Sequence, residues 1–299
     1  MGDRKLESFI GKGRLALEMI VDPDSFVENR IGAYTQEPDL GPGAIIGTAT
    51  LGGRSITVIA NDAKVRNPRF PNVMAGIIGM EEAYKMASAV YKTIEADMEK
   101  AQGEKRPILL VVDTPGNAPG KIDEIFGMNK ATGAYQLALA QAREVGHPVI
   151  AMVVGRAISG AFLCHGLQAD RILALSGAYG TMIHVMPLGS IARITRMDIE
   201  RLEELSASNP VFASGAAYFH KLGGLDEVLE DSSQMSDAID RHIREIIALN
   251  EAGRSGELGP WGRGILGAQR GGRVAREQVL QLMRAQFSAI ESEFLETDL

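Results

Sequence analysis

The stretch 148–166, "PVIAMVVGRAISGAFLCHG", decides how the rest of the chain is read. Its first half is a continuous apolar run, Val149 to Val154, of the kind that forms a strand buried on both faces of a sheet. Its second half turns on small residues, Ser159, Gly160 and Ala161, and predicts a passage into a short helix. Upstream the chain does the same thing once before. In "ILLVVDTPGNAPG", residues 108–120, the apolar run Ile108 to Val112 passes through Asp113 into a glycine-bearing turn. Between the two, the segment from Ile122 to Glu144, rich in alanine and leucine, predicts one helix. Strand, helix and strand in this alternation imply an α/β domain with right-handed crossovers, whose active groups sit at the carboxyl ends of the strands.

Working outward, Leu15, Met19 and Ile20 mark an N-terminal helix, followed by the loop "EPDLGPG". The apolar stretches "AIIGTATL" and "SITVIAND" are joined by Gly52-Gly53, a hairpin signal. Ala83, Ala87, Val90, Ile94 and Met98 recur at helical spacing between Met80 and Glu99. Beyond the quoted turn come the apolar run "RILALSGAYGTMIHVMPLG" and a helical region over 189–249, in which "IARITRMDIERLEEL" and "DAIDRHIREIIAL" flank "ASNPVFASGAAYFHKLGGLDEVL". Residues 250–273 hold eight glycines and four arginines and read as a hinge or extended arm. A last helical stripe, Val279, Met283, Phe287, Ile290 and Phe294, is expected to dock on its own domain or on a partner, with its own domain favoured. The organisation expected is an N-terminal helix and loop over 1–44, a central domain over 45–249, and the arm with its C-terminal helix over 250–299.

Composition narrows the function classes. A net charge of −7 lacks the basic footprint of a nucleic-acid binder. The single cysteine, Cys164, can form no internal disulfide and no cysteine-based metal site, and the histidines and carboxylates show no metal-ligand spacing. No apolar run is long enough for a membrane helix, and "MGDRKLESFIGKGRL" lacks the core of a secretory signal. The expectation is a cytoplasmic protein without membrane insertion, metal or nucleic acid.

Chemistry concentrates in the two turns. Where a strand passes into a helix, the first helical N–H groups have no partner within the helix and present the positive end of the dipole. Small residues let a substrate oxygen approach them. Gly160 and Ala161 meet that requirement, with Gly116 and Asn117 lining the same space. Arg156 has two readings, pairing with a substrate carboxylate or carrier phosphate, or an ion pair within the protein. Asp113 is expected to orient its own turn. Ser159 and His184 raise a different chemistry, since a serine with a base in hydrogen-bond reach is a nucleophile. Against it stands spacing: Ser159 touches Gly160 directly, whereas the serine of Clp-type peptidases lies two residues before its glycine, where this chain has Ile158. His184 is equally readable as a structural residue, and His165 as packing.

"ILLVVDTPGNAPG", then "GHPVIAMVVGRAISGAFLCHGLQADRILAL", then "MIHVMPLG", resembles the carboxyltransferase branch of the crotonase superfamily over residues 45–195. The shared features are the Asp-Thr-Pro-Gly turn, the Ser-Gly-small turn, an Asp-Arg a few residues on, and a Pro-x-Gly after the next strand. Within that branch, "GRAISGAFLCHGLQADRILAL" and "ASNPVFASGAAYFHKLGGL" are most similar to the gamma-subunit family of malonate decarboxylase. The resemblance implies a crotonase-like α/β fold with repeated ββα units and C-terminal helices. It implies a beta-subunit partner of similar fold and, as substrate, a malonyl thioester on the prosthetic thiol of an acyl carrier protein. No cofactor is expected on this subunit itself, and biotin on a separate carrier protein is one possible acceptor. Catalysis would be enolate stabilisation by the backbone N–H groups of Gly160 and Ala161. Two alternatives stay open: a Clp-like serine hydrolase, and a scaffold subunit that only shapes its partner's pocket. Ala161 departs from the acetyl-CoA carboxylase pattern, which has glycine there, and the arm after residue 250 is outside the resemblance.

Overall fold

The computed structural model describes residues 6–186, 188–206 and 214–295. Pro187 of the Pro-x-Gly motif and residues 207–213 of "ASNPVFASG" lie outside that description. The strands, in chain order, are β1 (Val27–Glu28), β2 (Arg30–Ile31), β3 (Tyr34–Thr35), β4 (Ala44–Leu51), β5 (Arg54–Asn61), β6 (Ile108–Thr114), β7 (Val149–Ile158), β8 (Arg171–Leu175), β9 (Met182–His184) and β10 (Glu227–Leu229). The helices are α1 (Gly13–Ile20), α2 (Met80–Ala96), α3 (Lys121–Phe126), α4 (Met128–Glu144), α5 (Ser159–Cys164), α6 (Leu188–Thr195), α7 (Ile199–Ser206), α8 (Ala216–Lys221), α9 (Met235–Glu251), α10 (Gly259–Gln269) and α11 (Arg276–Leu295).

One sheet runs in the order β1-β4-β5-β6-β7-β8-β10, with β9 paired to β7 beyond β8, and β2 and β3 form a separate small hairpin. The β4–β5 pair is antiparallel, and from β5 to β10 every neighbour is parallel. The Gly52-Gly53 turn carries positive φ at both residues, +56° and +77°, as a two-residue hairpin requires. The Asp22 carboxylate accepts both of its N–H groups, at 2.9 Å each.

The continuous apolar runs follow from coverage on both faces. Alternate residues of a strand point to opposite sides. Leu110 and Val112 therefore join Met86, Val90 and Leu139 of α2 and α4, while Leu109 and Val111 join Leu17, Ile239 and Ile243 of α1 and α9. Fully burying one such side chain contributes about 1.5–3 kcal/mol, so the two faces of β6 and β7 are the centre of stability.

Five elements depart from the sequence reading, one of them β10, a strand inside the 189–249 region read as helical. The helix expected over 122–144 is two, because Gly127 at φ +103° ends α3 and opens α4. The strand expected over 149–154 continues to Ile158, because β9 pairs with Arg156, Ala157 and Ile158. The 250–273 segment is not extended. Its residues 259–269 form α10, with Gly259, Gly262, Arg263 and Gly267 buried. The stripe on α11, in turn, does not pack on its own domain: Val279, Met283, Phe287, Ile290 and Phe294 are all exposed. Among the described residues no helix is long and apolar enough to cross a membrane.

Candidate active site

The carboxyl ends of β6 and β7 deliver the two turns side by side. Asp113, next to last in β6, is buried beneath the surface. Its Oδ1 accepts from the Arg156 backbone N–H and Nε, both at 2.9 Å, and its Oδ2 accepts from Arg156 Nη2 at 3.0 Å and from the Gly11 N–H at 2.7 Å. Arg156 Nη2 also donates to the Ala75 carbonyl at 2.9 Å. Of the two readings of Arg156, the ion pair is the one its side chain makes. Gly155 is required for it, since a Cβ there would lie 2.5 Å from Asp113 Oδ1. Asp113 thus ties β6, β7, the N-terminal segment and the 75–76 loop into one unit, which fits a turn-orienting role.

Past Asp113 the chain turns through Gly116, at φ +141°, a conformation open to glycine. The Gly116 carbonyl accepts from the Ile78 N–H at 3.1 Å, and the Ala118 N–H donates to the Ile78 carbonyl at 3.0 Å. Asn117 is thereby pinned opposite Ile78. Its side chain reaches across to the second turn: a Cβ built on Gly160 would sit 2.9 Å from Asn117 Nδ2. Gly160 is the residue that lets the two turns meet. Asn117 Oδ1 is buried and makes no hydrogen bond among the described residues.

In the second turn Ser159 takes φ +57°, unusual for a residue with a side chain, and the helix proper starts behind it. The N–H groups of Gly160 and Ala161 then belong to the first turn of α5, where no intrahelical acceptor exists. Neither donates to another group among the described residues. Ser159 is exposed and Ala161 is buried. Pairing of Ile158 with His184 places the imidazole of β9 beside the same turn. His184 is half-buried, its Nδ1 has no partner among the described residues, and burial holds its pKa below the usual histidine value. No hydrogen bond joins Ser159 and His184.

Beneath α5 lies a support that the sequence did not reveal. Tyr135 and His165 are fully buried. The Tyr135 hydroxyl and His165 Nδ1 are 2.9 Å apart, and His165 Nε2 is 3.1 Å from the Val111 carbonyl. A carbonyl only accepts, so Nε2 carries the proton and Nδ1 accepts from Tyr135. Burial lowers the His165 pKa to about 4 and raises the Cys164 thiol to about 12, so both stay neutral at physiological pH. Tyr135 on α4, His165 after α5 and Val111 on β6 are far apart in the chain, and no local pattern links them. Among the described residues no cluster of histidine, cysteine and carboxylates could hold a metal.

A family model, that of the malonate decarboxylase gamma subunit, matches residues 74–287. The malonyl-S-ACP:biotin-protein carboxyltransferase MADD of Malonomonas rubra is 62% identical over 291 residues, 97% of this chain and 100% of that protein. Among solved structures, a Pseudomonas malonate decarboxylase hetero-tetramer in complex with coenzyme A contains a chain that matches with a TM-score of 0.72 at 31% identity, covering 92% of this chain and 99% of that one. A Pseudomonas MdcD-MdcE hetero-dimer matches with a TM-score of 0.71 at 30% identity and the same coverage. The crotonase-like α/β fold that the family resemblance implied is therefore the fold observed. With its family model matching residues 74–287, the chain belongs to the malonate decarboxylase gamma-subunit family of enzyme subunits.

Proposed function

We propose that this chain works with a beta subunit of similar fold to move the carboxyl group of a malonyl thioester, carried on an acyl carrier protein, to the biotin of a carrier protein. The substrate pair rests on the likeness to the Malonomonas carboxyltransferase. The mechanism rests on one observation: the N–H groups of Gly160 and Ala161, in the first turn of α5, donate to no group among the described residues, and Gly160 lies against Asn117 Nδ2 where the two turns meet.

The bond between the malonyl carboxyl carbon and the α-carbon breaks, and its electron pair delocalises onto the thioester oxygen as an enolate. The enolate then takes a proton to become the acetyl thioester, while the carboxyl group replaces a proton on the acceptor nitrogen. Two anionic oxygens need stabilising in this exchange, one on the thioester and one on the acceptor. Two facing subunits supply one hole each. In this chain the Gly160 and Ala161 N–H groups form it, and Asn117 Nδ2 lines its edge. Each fixed donor contributes about 3–4 kcal/mol where water is excluded. His184, beside Ile158 and with its pKa lowered by burial, would donate or accept at the rim.

The test is Ala161→Pro in the reconstituted complex. Proline is tolerated in the first turn of a helix but carries no N–H. Turnover of the assembled complex should fall by about 10²–10³, well beyond the loss expected from the added ring in the buried site; full turnover in an assembled complex would remove the backbone hole from the mechanism. Avidin should abolish transfer, whereas decarboxylation that persists in avidin would mean direct release of carbon dioxide. Labelling of Ser159 by a serine-directed phosphonate would revive the hydrolase.

A further inference from the structure

The glycine- and arginine-rich segment after residue 250 has no part in the chemistry above, yet it is built with care. Its arginines divide into two groups. Arg254 pairs with Glu257. Arg263 and Arg270 are spent on main-chain carbonyls, Arg263 on those of Ala169 and Leu167 and Arg270 on those of His220, Leu225 and Asp226. Arg273 and Arg276, by contrast, meet no carboxylate among the described residues. Arg273 donates only its Nε, to the Leu222 carbonyl at 2.8 Å, which leaves the two terminal nitrogens of its fork unused. The Arg276 guanidinium lies 5.3 Å from the centre of the Trp261 ring.

Both side chains line one groove of about 420 Å³, together with Arg263, Leu167, Phe219 and Leu222. Among the described residues three arginines and no carboxylate line it, in a chain whose net charge is −7. Its geometry is fixed by close backbone packing. A Cβ at Gly267 would lie 2.1 Å from the Leu222 carbonyl oxygen, one at Gly272 2.3 Å from that of Lys221, and one at Gly223 2.3 Å from that of Arg263. Gly264 leaves the space in which Arg276 lies, since a Cβ there would be 2.8 Å from its Nε. The glycines thus clamp the arm to the α8–β10 connection and hold the two free forks over a common opening. Like charges held together without a counter-charge repel, and an arginine fork is matched in shape by a tetrahedral or planar oxyanion.

We propose that this groove is a binding site for a phosphoryl group, with the Arg273 and Arg276 forks as its ligands. Its wall is joined to the turn above: Phe219 packs edge-on against Phe162, two residues past Gly160, with ring centres 6.5 Å apart. A phosphoryl group here has two sources, a free phosphate or the phosphate of a pantetheine-type thiol arm. Assignment to the arm rests on the carrier-bound substrate proposed above, while the site itself does not. Arg156, the other arginine read as a phosphate ligand, is already occupied by Asp113.

Binding of inorganic phosphate, 4′-phosphopantetheine and pantetheine to the full chain, followed by calorimetry without turnover, separates these. Inorganic phosphate should bind at one saturable site, and Arg276→Ala should weaken it about tenfold or more, as expected for a lost charged hydrogen bond. Arg276 makes no hydrogen bond through its side chain among the described residues, so the unfolding midpoint should move only slightly, through loss of its contact with the Trp261 ring. Arg273→Lys, which keeps charge and loses the fork, should weaken phosphate binding as well. Phosphopantetheine binding at least tenfold tighter than pantetheine, with the difference erased by Arg276→Ala, identifies the arm. Equal binding of the two alongside saturable phosphate identifies a free phosphate. Absence of saturable phosphate binding, or binding indifferent to both substitutions, overturns the site. Because no turnover is read, failure here leaves the backbone oxyanion hole untouched, and failure of Ala161→Pro leaves this site untouched.

Discussion

The two turns that meet at Gly160 are held in place by opposite chemistry. The first is fastened by charge: Asp113 accepts four hydrogen bonds, three of them from Arg156. The second rests on a neutral chain, Tyr135 to His165 to the Val111 carbonyl. The difference follows from depth. Asp113 is itself buried, but its partner Arg156 reaches toward the surface and keeps some contact with water, its side chain 14% exposed. His165 and Tyr135 have no exposure at all, and an ion there would have to be stripped of water without recompense. A charged clamp is strong while complete and costly when half of it is removed. A neutral one costs less to break and fails instead by becoming charged.

Asp113→Ala is therefore expected to have the largest effect. It leaves the Arg156 fork and the Gly11 N–H without an acceptor, a loss of about 3–5 kcal/mol in urea unfolding. A loss under 1 kcal/mol would show that the clamp is not what fixes the first turn. The neutral side is tested by acid. With the folded pKa of His165 at about 4 and the ordinary value at 6.5, the unfolded chain binds the extra proton first as pH falls. The contribution of the neutral imidazole is complete above pH 6.5, declines between 6.5 and about 4, and is gone below. It amounts to about 3 kcal/mol at 1.36 kcal/mol per pH unit. His165→Asn should flatten the fall in stability between pH 7 and pH 4.5, with the remainder carried by other buried histidines such as His147, whose pKa burial also lowers. An unchanged pH slope would sink the assignment. Smaller again is Tyr135→Phe, which strands His165 Nδ1 without a donor and should cost about 1–3 kcal/mol.

How far this was readable beforehand depends on the range of each interaction. The β6 and β7 runs, the Gly52-Gly53 hairpin and the turns at Gly116 and Gly160 are written in consecutive residues, and each was legible. An ion pair for Arg156 was legible as one of two options, but not Asp113 as its partner, because composition cannot say which anion an arginine meets. Gly127 was missed inside an otherwise helical pattern, since periodicity does not register a positive φ. The Tyr135–His165 support joins three elements that only the folded sheet brings together. The proximity of Asn117 to Gly160 likewise depends on parallel pairing of β6 and β7.

The same contrast of inside and outside applies to α11, where an apolar stripe was expected to lie against its own domain. Phe287 is 52% exposed and Phe294 64%, so each has far less buried area to lose on truncation than a core side chain. Leu110, fully buried between β6 and the α2–α4 layer, would lose about 2–5 kcal/mol on replacement by alanine through lost transfer energy and the cavity left behind. Phe287→Ser should instead leave the unfolding free energy of the isolated chain within about 0.5 kcal/mol of wild type, as surface changes do. The measurement is a urea titration of the isolated chain at two protein concentrations. A loss above 1 kcal/mol at both concentrations would mean that α11 folds back on its own domain in solution. A loss that grows with concentration would mean that copies of the chain associate through the stripe. No loss at either leaves the stripe outside the chain's own stability, as its exposure requires.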